Sequence, residues 1–490
     1  MHPITPAMPG RRPEERGGAL HADLCILGAG SGGLSIAAGA AQMGASVVLI
    51  EKHRMGGDCL NTGCVPSKAL LAAAHAAESV RGAGRFGVNG HEPAVDFARV
   101  HAHIHGVIAA IAPHDSVERF EDLGATVIQA EARFTAPTEV EAGEMRIRAR
   151  RFVIATGSRA ALPPIPGLAD TPFLTNETIF DLTARPDHLV VVGGGPIGIE
   201  MAQAFRRLGA RVTLLERFTI LPKDEPEAVA ILRRLLLDAG IAVVESADIR
   251  AVARDGNGIA VTLAAGEGET RIGASHLLIA AGRKPNTEGL GLEAAGIAAT
   301  ARGVTVDASL RTSNRRVFAV GDIAGGPQFT HIAGYHAGIV IRQALFSLPA
   351  KVDYRALPWV TYSDPELAHA GLTEEAARKA GHAVSVLTQN FTANDRAQAE
   401  AATEGLTKIV LGRKGIVLGA TILGRGAGEQ IGLWALAIGQ GLRIGAVAQT
   451  VLPYPTFSEL SKRTAGGWYT PSLFAPRTRK LVGFIQRFLP

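Results

Sequence analysis

The sequence predicts an α/β protein with two Rossmann-like dinucleotide-binding domains, followed by a smaller C-terminal α+β domain. Three observations carry that prediction. A glycine fingerprint, Gly28-Ala-Gly30-Ser-Gly-Gly33, lies between an apolar strand and an Ala-rich helix. The same arrangement recurs 165 residues later at Gly193-Gly-Gly195-Pro-Ile-Gly198. A cysteine pair, Cys59 and Cys64, begins eight residues after the acid that closes the first unit.

The first unit opens with the apolar run Asp23-Leu-Cys-Ile-Leu27 and ends with Ser46-Val-Val-Leu-Ile50 and Glu51. Its glycines permit a tight turn, close approach of a pyrophosphate and packing of helix on strand. Glu51 stands where a carboxylate hydrogen-bonds a ribose hydroxyl. A lone fingerprint is weak evidence. Inside a complete strand-turn-helix-strand-acid unit it is strong.

Next comes Cys59-Leu-Asn-Thr-Gly-Cys64, followed by Val65-Pro66-Ser67-Lys68 and an Ala-rich helical run from Ser67 to Val80. In a straight helix, positions i and i+5 lie roughly 8.6 Å apart at Cα. A disulfide needs less than about 7 Å. The backbone must therefore tighten, and Gly63 is expected to supply the freedom. Cys64 falls at a helix N-terminus, where the dipole favours a thiolate. A reversible dithiol/disulfide is the natural reading. The spacing by itself also fits two packing cysteines.

The second unit runs from His188-Leu-Val-Val-Val192 through its fingerprint to Arg211-Val-Thr-Leu-Leu215 and Glu216. Two such folds imply two dinucleotides, most simply a flavin and a nicotinamide. Hydride would then pass from nicotinamide to flavin, and electrons on to the disulfide. Glu216 can accept from a ribose 2′-hydroxyl, which favours NAD(H). Arg217 follows it and could instead meet the 2′-phosphate of NADP(H).

Composition agrees with a large folded protein. At 490 residues, 47% hydrophobic and 19% charged, the chain can bury several cores. Its net charge of +5 is mild, and no Lys/Arg block interleaved with aromatics points to nucleic acid. Residues 1–20 are rich in Pro, Gly and Arg, carry no apolar leader, and read as a disordered tail. No stretch of about 20 apolar residues predicts a membrane span. Three cysteines in so long a chain fit a reducing, cytoplasmic compartment.

With these motifs in hand, the chain resembles the class I pyridine nucleotide-disulfide oxidoreductases, which include dihydrolipoamide dehydrogenase, glutathione reductase and mercuric reductase. The resemblance runs from about residue 21 to about residue 464. It rests on both fingerprints, on Gly56-Gly57-Asp58-Cys59 through Lys68, and on Ala155-Thr156-Gly157-Ser158. It rests also on Ala281-Gly282-Arg283-Lys-Pro285-Asn286 and Val317-Phe-Ala-Val-Gly321-Asp322.

The resemblance implies FAD on the first unit, with Gly57, Thr156, Gly157, Gly321 and Asp322 contributing and Asp322 on the ribityl chain. Gly193, Gly195, Gly198, Glu216 and Gly282 would serve the nicotinamide dinucleotide. It implies that Cys64 faces the flavin while Cys59 exchanges with substrate. Lys68 and Glu200 would form an ion pair beside the flavin's reactive nitrogen, where a fixed cation favours the reduced ring.

The same resemblance sets the domain order. Residues 21–162 and 289–351 would bind FAD, residues 163–288 NAD(P), and residues 352–466 would form an antiparallel-sheet dimerisation domain of a homodimer. An amphipathic tail, residues 467–490, follows.

One departure bears on the acceptor. Where the disulfide-reducing members carry a catalytic His before Pro, this chain reads Leu452-Pro453-Tyr454-Pro455-Thr456-Phe457-Ser458-Glu459. Tyr454 replaces the His, and Glu459 is retained. A phenol titrates near 10 against about 6.5 for imidazole, so Tyr454 is a poor proton shuttle for thiols. Mercuric reductases also carry Tyr in this region, but add a C-terminal vicinal cysteine pair. This chain has no cysteine after Cys64. A soft metal ion such as Hg(II) or Cu(II), or a small disulfide, is the expected acceptor. The alternatives are a dihydrolipoyl dehydrogenase, a membrane-docked NADH:quinone reductase, and a non-catalytic thiol redox sensor.

Two features lie outside this scheme. His101, His103 and His105 form a His-x-His-x-His run with His114 nearby, but no partner stands at ligand spacing, and no metal site is expected. Residues 477–489 place Leu481, Phe484, Ile485, Phe488 and Leu489 on an apolar helical stripe among Arg477, Arg479, Lys480 and Arg487. That stripe fits either packing on the protein's own surface, or across a dimer, or an interfacial membrane helix.

Overall fold

The structure is a computed structural model that describes residues 11–266 and 268–489. The chain divides into two compact units. One comprises residues 1–193, 204–212 and 248–352, and the other residues 194–203, 213–247 and 353–490.

The first unit is built on strands β1 (Glu14–Arg16), β2 (Ala19–Leu27), β3 (Val47–Glu51), β4 (Ala125–Gln129), β5 (Ala132–Ala136), β6 (Glu139–Ala142) and β7 (Met145–Ile154). The sheet order is β4-β3-β2-β7-β6-β5. β1 is added beside β2, and Val317–Ala319 runs parallel to β7. β2, β3, β4 and β7 are parallel neighbours, while β5 and β6 join antiparallel. The sheet is therefore mixed.

The apolar run of β2 has a direct reading here. Leu24 and Ile26 enter one core with Val47, Leu49 and Val153. Cys25 and Leu27 enter the other with Val48, Ile50 and Phe152. A central parallel strand is covered on both faces, so alternation disappears from its sequence. Cys25 is fully buried, and burial pushes its thiol pKa up, which fits a packing role. Helix α1 (Ser31–Gln42) contributes Ile36, Ala37 and Ala40 to the first of these cores, together with Ala337 and Val340 of the helix Thr330–Phe346.

The disordered tail predicted for residues 1–20 needs correction. Residues 1–10 lie outside the described residues. Residues 14–21, however, form a hairpin, with Glu14 opposite His21 and Arg16 opposite Ala19. Gly17 and Gly18 both have positive φ (59° and 68°), the combination a two-residue hairpin turn requires. Ala19 is buried. A composition rich in Pro, Gly and Arg hid a local turn signal.

The strands at the second fingerprint pair in parallel. His188–Val192 lies beside His276–Ile279, and Thr213–Leu215 lies beside Ala242–Val244. The C-terminal part is a five-stranded antiparallel sheet. In order its strands are Pro358–Thr361, Glu366–Gly371, Val417–Gly424, Leu406–Leu411 and Ser385–Asn390. The helix Ala427–Gly439 covers one face, and its fully buried Trp434 donates to Ser461 Oγ at 3.1 Å. On the strand Leu406–Leu411, Lys408 is buried but bonded to Glu225, Glu227 and Glu374 at 2.8–2.9 Å. Burial lowers its pKa, and the three carboxylates more than offset this, so the ammonium stays charged.

Candidate active site

The cysteine segment folds into two short pieces rather than one helix. Cys59 sits within α2 (Gly57–Asn61), and α3 (Cys64–Arg81) starts at Cys64 with Gly63 as its cap residue. Gly63 has φ −128°, outside the left-handed region, so backbone freedom of that kind is not what the site uses. A Cβ at Gly63 would lie 2.9 Å from the Asp58 carbonyl oxygen and 3.0 Å from its carboxylate. The missing side chain is what lets α3 double back on α2. That fold brings the two sulfurs into hydrogen-bond contact, and the pair is reduced in this structure.

The contact splits their acidities. Cys59 donates to Cys64, which lowers the Cys64 pKa to about 6, despite burial acting the other way. Thr330 Oγ1, 3.2 Å from the Cys64 sulfur, and the Lys68 charge one helical turn on add to the lowering. Cys59 moves in the opposite direction because it is the donor to a thiolate, and burial adds to this. One thiolate and one thiol is the poise expected of a redox pair.

Below the pair, side chains far apart in sequence connect. Asp58 accepts from Thr62 Oγ1 at 2.8 Å, Asn176 Nδ2 at 2.9 Å and Arg283 Nη2 at 3.1 Å. Arg283 Nε also donates to Ser158 Oγ at 2.7 Å, and Ser158 in turn donates to Asp322. Burial raises the Asp322 pKa, against the lowering effects of Ser158 and Arg283. Four of the quoted motifs thus meet in one chain of hydrogen bonds. Thr156 and Asn286 exchange two more, Thr156 Oγ1 to the Asn286 carbonyl at 3.0 Å and Asn286 Nδ2 to the Thr156 carbonyl at 2.9 Å.

The two fingerprints share local geometry to a close degree. Gly28 (φ 108°) would place a Cβ 2.4 Å from the Ala155 oxygen, and Gly193 (φ 116°) one 2.3 Å from the Ala280 oxygen. Glu51 accepts from the backbone N–H of Ala29 (2.7 Å) and of His53 (2.8 Å). Glu216 accepts from Gly194 (2.6 Å) and Phe218 (2.9 Å) in the same two relative positions. Each acid thus fixes its glycine turn. Gly57 (φ 58°) approaches so closely that a Cβ there would lie 2.7 Å from the Gly30 Cα. α1 begins immediately after, with Gly30 as cap residue, no side-chain cap and no acid in its first turn. This cradle of backbone N–H groups and missing side chains fits a dinucleotide pyrophosphate. Gly33 and Gly198 lie buried in the first turns of the two helices, Gly195, Gly157 (φ 65°) and Gly282 (φ 128°) lie in loops or turns, and Gly321 (φ 70°) opens a short 3-10 helix, Gly321–Ala324.

Three further predicted residues are placed in the second unit. Glu200 is buried and accepts from the Tyr362 backbone N–H at 3.0 Å. Tyr454 is 69% exposed, and its hydroxyl donates to Asp395 Oδ2 at 3.1 Å. That hydrogen bond raises the phenol pKa above its ordinary value. Glu459 opens the helix Glu459–Gly466. The loop between is tied down by Asn394, whose Nδ2 donates to the Thr456 carbonyl at 3.0 Å.

Sequence reasoning missed Thr330, Asn176 and Asp395. Thr330 is 266 positions from Cys64, and no spacing signals such a pairing. Ser158 and Arg283 stood inside recognised motifs without a role. In the His run, the His101 and His105 ring centroids lie 4.2 Å apart with the rings tilted by 43°, and His105 Nε2 lies 3.3 Å from the Phe180 carbonyl. Among the described residues, no group of three or more His, Cys, Asp or Glu could hold a metal ion.

Comparison with known proteins agrees with this geometry. The family model "Pyridine nucleotide-disulphide oxidoreductase" matches residues 22–337, and that family's dimerisation-domain model matches residues 357–465. The chain is 39% identical to the mercuric reductase of Streptomyces lividans over 451 residues, covering 90% of this chain and 95% of that protein. It is 35% identical to the dihydrolipoyl dehydrogenase of Geobacillus stearothermophilus over 467 residues, 91% and 96% of the two chains. Among solved structures, it superposes on the Cu(II) complex of the HOCl-induced flavoprotein disulfide reductase RclA from Escherichia coli with TM-score 0.82. That match has 28% identity and covers 91% of this chain and 99% of the other.

Proposed function

The chain belongs to the class I pyridine nucleotide-disulfide oxidoreductase family, and from that premise we propose that it is an NADH-dependent flavoenzyme that reduces a soft metal ion through Cys59 and Cys64. It is an oxidoreductase and a flavoprotein with a redox-active cysteine pair and a dimerisation domain. We assign it the homodimeric state that this domain serves.

When bound, FAD and a nicotinamide supply hydride transfer and two-electron storage. The residues that would hold FAD are Ala29, Gly30, Gly57, Thr156 and Asp322. Gly193, Gly195, Gly198, Glu216 and Gly282 would hold the nicotinamide dinucleotide. The Glu216 carboxylate, fixed as Glu51 is, supports a ribose 2′-hydroxyl and hence NADH.

One observation carries the choice of acceptor. Cys64 is held as a thiolate at neutral pH by hydrogen bonds from Cys59 and Thr330, and Tyr454 is held as a phenol by Asp395. A disulfide acceptor releases thiolates that need protons, and a raised phenol is a poor donor. A soft metal ion needs none and prefers thiolate ligands. The balance closes: the Cys64 thiolate and the Cys59 thiol become a disulfide with release of one proton to solvent, and the two electrons convert Hg(II) to Hg(0), or two Cu(II) to two Cu(I). The mercuric reductase relative and the Cu(II) complex of RclA support the same choice.

The test is NADH oxidation by the FAD-loaded protein with Hg(II), Cu(II), lipoamide and glutathione disulfide in turn. The reading expects the metal ions to be turned over and the disulfides scarcely at all. Rapid lipoamide turnover would replace it with a dihydrolipoyl dehydrogenase.

A further inference from the structure

The end of the chain combines exposure with a one-sided charge. The 31 residues after Glu459 hold six Lys/Arg and no Asp or Glu, so the net +5 of the whole chain comes from this end. Up to Tyr469 the segment is anchored. Trp468 packs against the core of the five-stranded sheet, so it is a structural residue rather than a surface anchor. Beyond Tyr469 none of the described residues is buried. A short helix Thr470–Leu473 leads into the helix Pro476–Ile485, and no residue of either is buried.

The helix Pro476–Ile485 is amphipathic. At 100° per residue, Leu481, Val482, Phe484 and Ile485 fall within an arc of about 160°. Arg479 and Lys480 lie outside that arc, on its two borders. Phe488, 73% exposed, continues the apolar side and meets Phe484 edge to face at 5.1 Å. Leu473 and Phe474 extend it backwards, and both are exposed. Arg477 and Arg487 add cations at the ends. An apolar strip of this size costs free energy in water, and single-sign cations along it select what covers it.

We propose that residues 473–489 dock the protein onto the surface of an anionic lipid bilayer. The apolar strip would enter the headgroup boundary, and Arg477, Arg479, Lys480 and Arg487 would meet lipid phosphates. A second copy of the chain is the less fitting occupant, because it would bring an identical unopposed set of cations to the same face. No helix among the described residues is long and apolar enough to cross a membrane, so the attachment is peripheral.

The test uses the full-length, FAD-loaded protein with vesicles of phosphatidylcholine alone and of phosphatidylcholine mixed with phosphatidylglycerol. Cosedimentation is expected only with the anionic vesicles, and it should fall at high salt. Arg479→Gln with Lys480→Gln should lower partitioning about thirtyfold, at roughly fivefold per cation. Phe484→Ser with Phe488→Ser should lower it at least tenfold or so, from the apolar area withdrawn. Ending the chain after Ala475 should abolish binding while FAD content and the dimer stay intact. Wild-type protein that stays in solution with anionic vesicles would overturn the proposal. So would binding that is equal on both vesicle types, or a truncated chain that loses its dimer. The last result would make the strip an interface between copies.

Discussion

The loop that carries Cys59 and Cys64 and the loop that carries Tyr454 apply one physical device in opposite directions. In the first, a thiol acts as hydrogen-bond donor, and its neighbour Cys64 is driven toward the anion. In the second, a carboxylate acts as acceptor, and the Tyr454 hydroxyl is held in its protonated form. One loop holds charge ready to leave as electrons. The other withholds a proton near neutral pH. Under the proposed function the difference separates an electron path from a proton path, and only the first would be in working form.

The largest effect should come from breaking the electron path. Cys64→Ser should lower NADH-dependent Cu(II) or Hg(II) reduction roughly 10⁴-fold or more, on the scale of losing an essential nucleophile. FAD content should not change. Retention of metal reduction would show that electrons leave without the thiols. Restoring the proton path should come next. Tyr454→His should raise lipoamide turnover about 10²- to 10⁴-fold, the usual contribution of general acid–base catalysis, without raising metal turnover. If lipoamide turnover does not rise, the substitution at this position is not what limits it.

Smaller effects grade the supports of the thiolate. Cys59→Ala removes the leading donor and should move the Cys64 pKa upward, which slows its alkylation in mildly acidic buffer. Thr330→Val removes a lesser donor and should move it less. The reverse order would reassign the main support. Asp395→Asn should bring the Tyr454 phenol back down toward its ordinary range, seen in an ultraviolet titration of tyrosinate. This last change should leave metal reduction untouched.

The sequence made some of this visible and hid the rest for physical reasons. Local patterns survive in sequence. The two fingerprints, their closing acids and the helix start at Cys64 are each set within a few dozen residues, and all stand where expected. The hairpin at Glu14–His21 was local too, but its Gly17-Gly18 signal was masked by a composition that suggests disorder. The backbone freedom expected of Gly63 is only part of its role. The glycine is also needed because Asp58 leaves no room for a Cβ, a contact that no φ preference encodes. The partnerships of Thr330, Asn176 and Arg283 could not be read, because they close over 118 to 266 positions of chain. Asp395 likewise gains meaning only when the folded sheet domain carries it to Tyr454, 59 positions on.

The central claim is that Cys64 is a thiolate at neutral pH while its partner stays protonated. The direct measurement is the rate of iodoacetamide alkylation of Cys64 against pH in the reduced, FAD-loaded protein, with the site of modification read by mass spectrometry. A lowered thiol pKa keeps the anion above that pKa and loses it as pH falls through it. The account predicts a rate that is flat through neutral pH and falls through a midpoint near about 6. A midpoint at the ordinary thiol value of about 8.5, or modification of Cys59 ahead of Cys64, would contradict it.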